Sequence, residues 1–339
     1  MSEDLLHLIP EDRRQAAREA VADVLGRQPL QAITPVLGGA SGALIYRLET
    51  AARPYVLRLE DRQGVGARDP ARGFACMRAA ACAGVAPALL HADDATGVAV
   101  MDFVRARPLS AHPGGPAGLV RALGELVARL HELRPAFPAA RFTYLSVVER
   151  LVEALGRPGL FAPGLLDRHL EGFERIKAAY AWDEDAPVSS HNDPNPRNIL
   201  YDGQRLWLID WEIAFLNDPL VDLAIVTYET ATTPELEAAL LQAALRRAPD
   251  RRTEARLVLM RQLTRLFYAG LLLGPALRGG PPSTLDLSPM SAPELKAAVA
   301  AGRLAPADFG LALGAMVLTA YREGLDEPRF QDALAVVAG

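Results

Sequence analysis

The spacing of hydrophobic residues changes period several times within the first hundred residues. Residues Glu11–Leu25 carry apolar side chains on one face and charges on the other, which predicts an amphipathic helix. Hydrophobic residues then alternate with other types over 44–48 and 55–59, and the short stretch between them predicts a turn that joins two strands. The remaining elements predicted in this part are an alanine-rich helix over 71–83 and strands over 88–91 and 97–103.

The pattern after residue 104 is mostly helical. Prolines and glycines in residues 105–117 predict a hinge. Further helices are predicted over 119–130, 145–155, 165–180, 220–230, 234–246, 253–273, 292–301 and 306–323, and a strand-rich island over 188–210. The chain is therefore predicted to be α+β, with a β-rich N-terminal lobe over residues 1–103, a mostly helical C-terminal lobe over 104–339, and a ligand cleft between them.

Composition narrows the possible functions. The chain has 339 residues and a net charge of −5, and this mild acidity argues against a nucleic-acid binder with a basic surface. We find no basic and apolar leader at the N-terminus, and the apolar runs are too short or too interrupted to predict a membrane span. We expect a soluble, cytoplasmic protein that binds neither nucleic acid nor membrane, and its oligomeric state stays open.

The candidate chemistry is concentrated in residues 190–224, SHNDPNPRNILYDGQRLWLIDWEIAFLNDPLVDLA. A polar loop leads into a short strand, an Asp-Gly pair predicts a hairpin turn, and Asp210 stands at the end of the second strand. This hairpin would bring Asp193, Asn198 and Asp210 into one pocket. Two carboxylates and an amide oxygen suit Mg²⁺ that carries nucleotide phosphates, and a carboxylate near the metal could accept a proton from a hydroxyl. The stretch therefore predicts phosphoryl transfer.

At these residues the chain resembles the aminoglycoside phosphotransferase and choline kinase-like family, which are small-molecule kinases of the protein-kinase-like fold. Asp193 and Asn198, with four residues between them, reproduce the H-x-D-x-x-x-x-N catalytic loop, and IDWE at 209–212 is similar to the family's metal-binding segment. The resemblance implies that Asp193 orients and deprotonates a hydroxyl, that Asn198 and Asp210 bind Mg²⁺, and that ATP is the phosphate donor.

The same resemblance implies supporting roles for two further residues. His191 would brace the catalytic loop, and Asp222 in the DLA segment would brace it from the following helix. A polar residue early in a helix is the alternative interpretation of Asp222.

Two N-terminal segments fit the nucleotide site of this family. In the loop LGGASG, the backbone of Gly38 and Gly39 and the hydroxyl of Ser41 would approach phosphates, although a plain glycine turn fits the same residues. The segment MDFVRARPL resembles the connector that binds adenine, and Met101 and Phe103 would line the adenine slot unless they are ordinary core residues.

Arg58 occupies the place where the family usually has a phosphate-contacting lysine, and the alternative is a surface pair with Glu60. Kinases usually hold this cation with a glutamate on the next helix, but the helix over 71–83 contains no acidic residue. Asp69 or Glu60 could substitute for that glutamate. A weakened protein that binds a nucleotide without turnover therefore remains an alternative.

The resemblance also limits the acceptor. Only seven residues separate Asp210 from the next helix start, which is too short for a protein-kinase activation loop, so a small-molecule hydroxyl substrate is expected. A choline-like or ethanolamine-like cation would be favoured by the Glu212 carboxylate and by aromatic faces such as Trp211 and Tyr228, each of which could instead be core. Aminoglycosides are the competing substrates, although the C-terminus lacks the acidic, aromatic character expected for some of these enzymes.

Overall fold

The computed structural model describes residues 3–36, 42–60, 69–134, 136–157, 159, 161–182, 185–279 and 290–339. Its strands are β1 (Leu30–Pro35), β2 (Leu44–Thr50), β3 (Tyr55–Leu59), β4 (Leu89–Asp93), β5 (Val98–Asp102), β6 (Val188–Ser190), β7 (Ile199–Tyr201), β8 (Leu206–Leu208) and β9 (Phe215–Asn217). Its helices are α1 (Glu11–Leu25), α2 (Pro70–Cys82), α3 (Gly115–His131), α4 (Tyr144–Leu155), α5 (Asp167–Ala179), α6 (Pro219–Thr230), α7 (Pro234–Leu245), α8 (Arg251–Gly279), α9 (Ala292–Ala300), α10 (Pro306–Asp326) and α11 (Pro328–Ala338). Short 3₁₀ helices lie at Glu3–Leu8, Leu109–Ala111 and Pro196–Asn198.

The chain forms two compact units. The first contains Met1–Ala140, Pro187–Asn217 and Glu229–Arg247, and the second contains Arg141–Ala186, Asp218–Tyr228 and Ala248–Gly339. The predicted division into lobes at residue 103 stays a prediction.

An antiparallel sheet in the order β1-β2-β3-β5-β4 organises the N-terminal part of the first unit. The alternation of the sequence sets the register, since Leu44 faces Leu59 and Leu48 faces Tyr55 across the predicted hairpin. Apolar side chains of the sheet and of α1 share one buried cluster, which includes Val21. β3 lies centrally and is buried along most of its length, so even its polar residue Arg58 is buried.

The predicted strand-rich island is a hairpin, β7–β8, followed by a strand that the sequence pattern did not indicate. Asp202 closes the hairpin turn because its carboxylate accepts hydrogen bonds from two backbone N–H groups, and Gly203 has a φ of 103°, which favours glycine. The unpredicted strand, β9, pairs with β6. Strands of three residues carry too few alternating positions to be predicted from periodicity.

Helices α3 and α7 pack tightly within the first unit. A Cβ atom on Gly124 would lie 2.5 Å from the carbonyl oxygen of Leu240, so only glycine allows this approach of the two backbones. Arg246 follows α7 in the left-handed conformation, with a φ of 57°.

The second unit is built around the long helix α8, which packs against α4, α10 and α11. Its residues Arg251–Gly274 are long and apolar enough to cross a membrane, but 72% of the apolar window is buried inside the protein, as expected for the central helix of a helical unit. Arg256 on this helix is buried and donates hydrogen bonds to Asp185 and Asp218. The predicted helix over 306–323 continues to Asp326, and α11 follows it as a helix that was not predicted from the sequence.

Candidate active site

A buried asparagine fixes the start of the predicted catalytic loop. Asn192 follows β6 with a φ of 65°, a left-handed conformation that asparagine adopts more readily than most residues. Its side-chain oxygen accepts hydrogen bonds from Ser190 Oγ at 2.9 Å and from Asn217 Nδ2 at 2.6 Å. Its Nδ2 donates to the carbonyl oxygen of Ile213 at 2.9 Å. Asn192 therefore ties the loop to both β6 and β9.

His191 holds the loop against the segment that carries Asp210. Its side chain is buried, and Nε2 donates a hydrogen bond of 2.8 Å to the carbonyl oxygen of Ile209. Its ring also packs against Trp211, with the ring centres 4.6 Å apart. These contacts are those of a loop-bracing residue, the role expected from the sequence.

Two asparagine amides hold the carboxylate of Asp193. Asn195 Nδ2 donates to Oδ1 at 2.7 Å, and Asn198 Nδ2 donates to Oδ2 at 2.9 Å and to the Asp193 carbonyl oxygen at 2.9 Å. Each oxygen of the Asp193 carboxylate therefore accepts a hydrogen bond from an asparagine amide. The amide orientation of Asn198 is fixed by two hydrogen bonds from one nitrogen, so its Oδ1 points away from Asp193.

The β7–β8 hairpin places Asp210 beside this loop. Ile209 N–H donates a hydrogen bond of 3.0 Å to the carbonyl oxygen of Asn198, so the residues that precede β7 and follow β8 lie side by side. Asp210 then turns sharply with a φ of 70°, a left-handed conformation that is costly for a residue with a Cβ. Backbone strain of this kind is concentrated at functional sites.

Arg58 connects Asp210 to the N-terminal sheet. Its Nη2 donates to Asp210 Oδ1 at 2.8 Å, its Nε donates to Glu60 Oε1 at 2.5 Å, and Glu212 lies 3.9 Å from Nη2. Burial alone would lower the pKa of Arg58, but the Asp210 and Glu60 carboxylates outweigh it and hold the pKa above its ordinary value. The cluster of Arg58, Glu60 and Asp210 is therefore a charged network. The alternative interpretation of Arg58 is a surface pair with Glu60; the pair forms, but it is buried.

Glu60 is the acidic partner that α2 does not provide. Its backbone is fixed at both ends, because its N–H donates to the Gly97 carbonyl at 2.8 Å and its carbonyl accepts from Arg13 Nη1 at 2.8 Å. Asp69 instead caps α2 by accepting from the N–H groups of Ala71 and Arg72. Of the two substitutes that the sequence suggested, Glu60 is the one that contacts Arg58.

Helix α2 supports the segment after Asp210 in another way. Arg72 is buried and its Nε donates to the carbonyl oxygen of Ala214 at 3.1 Å, and a Cβ on Gly73 would lie 3.5 Å from the Trp211 carbonyl oxygen. Burial lowers the pKa of Arg72 from its ordinary value. The sequence pattern gives no signal for this role, because an arginine in an alanine-rich helix has the pattern of a solvated residue.

The other residues expected in the nucleotide site are only partly described. Gly38, Gly39 and Ser41 lie outside the described residues, so the phosphate-binding loop stays a prediction. Met101, in β5, and Phe103, just after it, are half-buried, and the Arg47 guanidinium lies 4.5 Å from the centre of the Phe103 ring. Their role at the adenine also stays a prediction.

The expected substrate residues lie in different surroundings. Trp211 is buried, with its ring edge-on to Phe137 at 5.8 Å, which favours a packing role over contact with a substrate. Tyr228 is 51% exposed in the second unit, and its ring lies 5.5 Å from the Arg265 guanidinium. Asp222 is fully buried in the first turn of α6, as expected for a supporting rather than a substrate-binding carboxylate.

The oxygen atoms of Asn198 and Asp210 fit the requirements of Mg²⁺ bound to a nucleotide. Among the described residues, no donor bonds to Asn198 Oδ1 or Asp210 Oδ2, so both have lone pairs for a cation. The described part of the chain contains no group of three or more histidine, cysteine, aspartate or glutamate side chains that could hold a metal. Two protein oxygens suffice only for an ion such as Mg²⁺, which takes its remaining ligands from phosphates and water.

Solved structures share the fold of this chain. A choline/ethanolamine kinase family protein from Mesorhizobium loti superposes with a TM-score of 0.68 and 24% identity, over 96% of this chain and 99% of that one. The GDP complex of an aminoglycoside 2′-phosphotransferase-IIIa variant superposes with a TM-score of 0.62 and 14% identity, over 93% of this chain and 99% of that one. These likenesses show a protein-kinase-like fold.

Sequence comparison identifies the family. A segment of 52 residues is 44% identical to protein LicA of Haemophilus influenzae, and the match spans only 20% of the length of that protein and 15% of this chain. The family APH, the phosphotransferase enzyme family, matches residues 32–257, which is more than half of the chain and includes the loop, the hairpin and Arg58. The chain therefore belongs to the phosphotransferase enzyme family.

Proposed function

We propose that this phosphotransferase moves the γ-phosphate of ATP to the hydroxyl group of a small cationic amino alcohol of the choline or ethanolamine class. The observation that carries the proposal is that Asp193 and Asn198 are hydrogen-bonded to each other while the hairpin sets Asp210 beside them. A base, an amide oxygen and a second carboxylate in this arrangement suit phosphoryl transfer, in which positioning and charge neutralisation supply most of the rate.

Asp193 would act on the acceptor. A hydroxyl that donates its hydrogen bond to one carboxylate oxygen is oriented for attack, and the carboxylate accepts its proton as the new O–P bond forms. The amides of Asn195 and Asn198 fix both carboxylate oxygens, so the base is held in place before the substrate arrives. Such preorganisation keeps the reacting groups in a productive geometry.

Arg58 and the metal-binding residues would act on the nucleotide. Asn198 and Asp210 would hold Mg²⁺, which when bound neutralises charge on the phosphates. Arg58 has further N–H groups besides those that contact Glu60 and Asp210, and a guanidinium suits phosphate oxygens. The Glu60 contact supports an active enzyme over a protein that only binds a nucleotide, because it replaces the missing helix glutamate.

The class of acceptor is supported by the fold likeness to the choline/ethanolamine kinase family protein and by the carboxylate of Glu212 near the metal-binding segment. The likeness to an aminoglycoside phosphotransferase favours a second candidate, an aminoglycoside acceptor. Both kinds of acceptor are cationic alcohols, so they are separated by measurement of the product.

A panel of acceptors tests the proposal. The purified protein is incubated with Mg²⁺, labelled ATP and, separately, choline, ethanolamine, simple sugars and several aminoglycosides, and the phosphorylated product is identified. We expect a product with an amino alcohol. If a phosphorylated product forms only with an aminoglycoside, the acceptor is an aminoglycoside and not an amino alcohol. ATP binding without any product would favour the protein that binds a nucleotide without turnover.

A further inference from the structure

A polar surface pocket lies in the first unit, where the turn of the β7–β8 hairpin meets α3 and the end of α7. It has a volume of about 300 Å³, and its lining includes Glu125, Arg129, Gln204, Arg205 and Arg246. This volume is at the lower end of the range of about 300–1,000 Å³ that is typical of small-molecule pockets. A small ligand therefore fits it.

The charge of the pocket is positive, although the whole chain is acidic. The described lining carries three arginines and one glutamate, a formal charge of +2 within a chain of net charge −5. Burial and the nearby charges of Arg205 and Arg246 lower the pKa of Arg129, and the attraction of the Glu125 carboxylate offsets only part of this. The three guanidinium groups therefore repel one another, and an anion between them would remove that repulsion.

The fold holds two of these arginines in place without a ligand. Arg205 lies flat over the Trp207 ring, 3.8 Å from its centre, and donates a hydrogen bond to the Gly84 carbonyl oxygen. Arg246 bonds to Glu132 at 3.3 Å from a left-handed residue at the end of α7. Groups that are ordered beforehand lose less entropy when they bind.

Arg129 completes the pocket because of the close packing of two helices. Gly124 lets α3 approach the backbone of α7, and Arg129 lies one turn or more beyond this contact on α3. Among the described residues, no carboxylate lies within salt-bridge distance of Arg129. We therefore expect an anionic ligand to form its main ion pair with the guanidinium of Arg129.

We infer that this pocket is a binding site for a phosphate group, either as free phosphate or as a phosphomonoester of a small molecule. A guanidinium presents a fork of N–H donors that matches phosphate oxygens, and the lining carries more positive than negative side chains, which favours an anion. The pocket is distinct from the catalytic residues. It contacts the turn end of the hairpin at Gln204 and Arg205, whereas Asn198 and Asp210 flank the opposite end.

The test is calorimetric titration of the whole protein with inorganic phosphate, at constant ionic strength and with the nucleotide site saturated by a non-hydrolysable ATP analogue. Arg129→Gln lowers the formal charge of the lining from +2 to +1, and Arg121→Gln removes an exposed arginine of the same helix that does not line the pocket. Loss of a charge-assisted hydrogen bond predicts a Kd that is weaker by about tenfold or more in Arg129→Gln. Arg121→Gln should bind like the wild type.

A parallel titration with glycerol phosphate identifies the source of the phosphate group. Tighter binding of the ester than of inorganic phosphate assigns a phosphomonoester, and equal or weaker binding assigns free phosphate. The inference is overturned if the wild type shows no saturable binding of either ligand, or if the two arginine variants bind equally well. Circular dichroism of both variants checks that each one is folded.

Discussion

The buried pair of Arg58 and Glu60 has a counterpart on the neighbouring strand that allows a controlled test. Arg47 and Glu49 on β2 have the same spacing and also pair at 2.5 Å, but their side chains are 36% and 32% exposed, against 7% and 11% for Arg58 and Glu60. The same substitution, glutamate to glutamine, can therefore be made in a buried pair and in a more exposed pair with the same N–O distance.

We expect Glu60→Gln to destabilise the protein by about 2 kcal/mol, the usual contribution of a hydrogen bond to a charged group. The loss stays below the roughly 3–5 kcal/mol of a fully broken buried ion pair, because Arg58 keeps its contact with Asp210. A loss of this size lowers the Tm by about 3 °C in a chain of this length. Glu49→Gln should cost less than about 1 kcal/mol, since water screens the exposed pair.

The assays are thermal unfolding and steady-state kinetics of both variants. Because we propose that Arg58 contacts the nucleotide phosphates, Glu60→Gln should also raise the nucleotide KM by about tenfold, which corresponds to about 1.4 kcal/mol. Glu49→Gln should leave the KM unchanged. Equal Tm shifts in the two variants would refute the argument from burial, and an unchanged KM in Glu60→Gln would refute the role of Glu60 in positioning Arg58.

Two further substitutions test the close packing of α3 on α7 and the pH dependence of the stability. Gly124→Ala should destabilise the protein by about 1–3 kcal/mol and lower its Tm, because the new Cβ would lie 2.5 Å from the Leu240 carbonyl oxygen. Gly118→Ala is the control on the same helix. Its Cβ meets no atom closer than 3.4 Å, so this variant should have an unchanged or higher Tm. Burial lowers the pKa of His169, so below its unfolded pKa of about 6.5 the unfolded state binds protons that the folded state does not. The free energy of unfolding, measured with urea, should therefore fall from pH 7 to pH 5 in the wild type. It should fall less in His169→Phe, which keeps a ring stacked on Tyr321. An equal dependence of this free energy on pH in the two proteins would contradict the prediction.

Local signals allowed much of the site to be predicted. The Asp-Gly pair marked the hairpin, and the spacing of Asp193 and Asn198 marked the loop, because these features depend on a few neighbouring residues. The hairpin is confirmed, with its turn closed by Asp202. Asn198 is bonded to Asp193, and the catalytic role of this loop stays a prediction. The family itself is confirmed by the match over residues 32–257.

Features that depend on tertiary burial could not be predicted in the same way. Arg58 and Glu60 alternate on a strand as any exposed pair would, and only the central place of β3 in the sheet makes them buried. Arg13 looks like one of several charges on an amphipathic helix, although it is buried and bonds to the Glu60 carbonyl. The left-handed conformation of Asn192 leaves no signal beyond the residue type.

The measurement that tests the central claim most directly is phosphate transfer by the wild type, by Asp193→Asn and by the matched control Asp94→Asn, which alters an exposed aspartate paired with Arg78. General-base catalysis contributes about 10²–10⁴-fold, so we expect Asp193→Asn to lower kcat by that factor while ATP binding is nearly unchanged. Asp94→Asn should match the wild type. Phosphate transfer by Asp193→Asn at the rate of the wild type would contradict the account of this site.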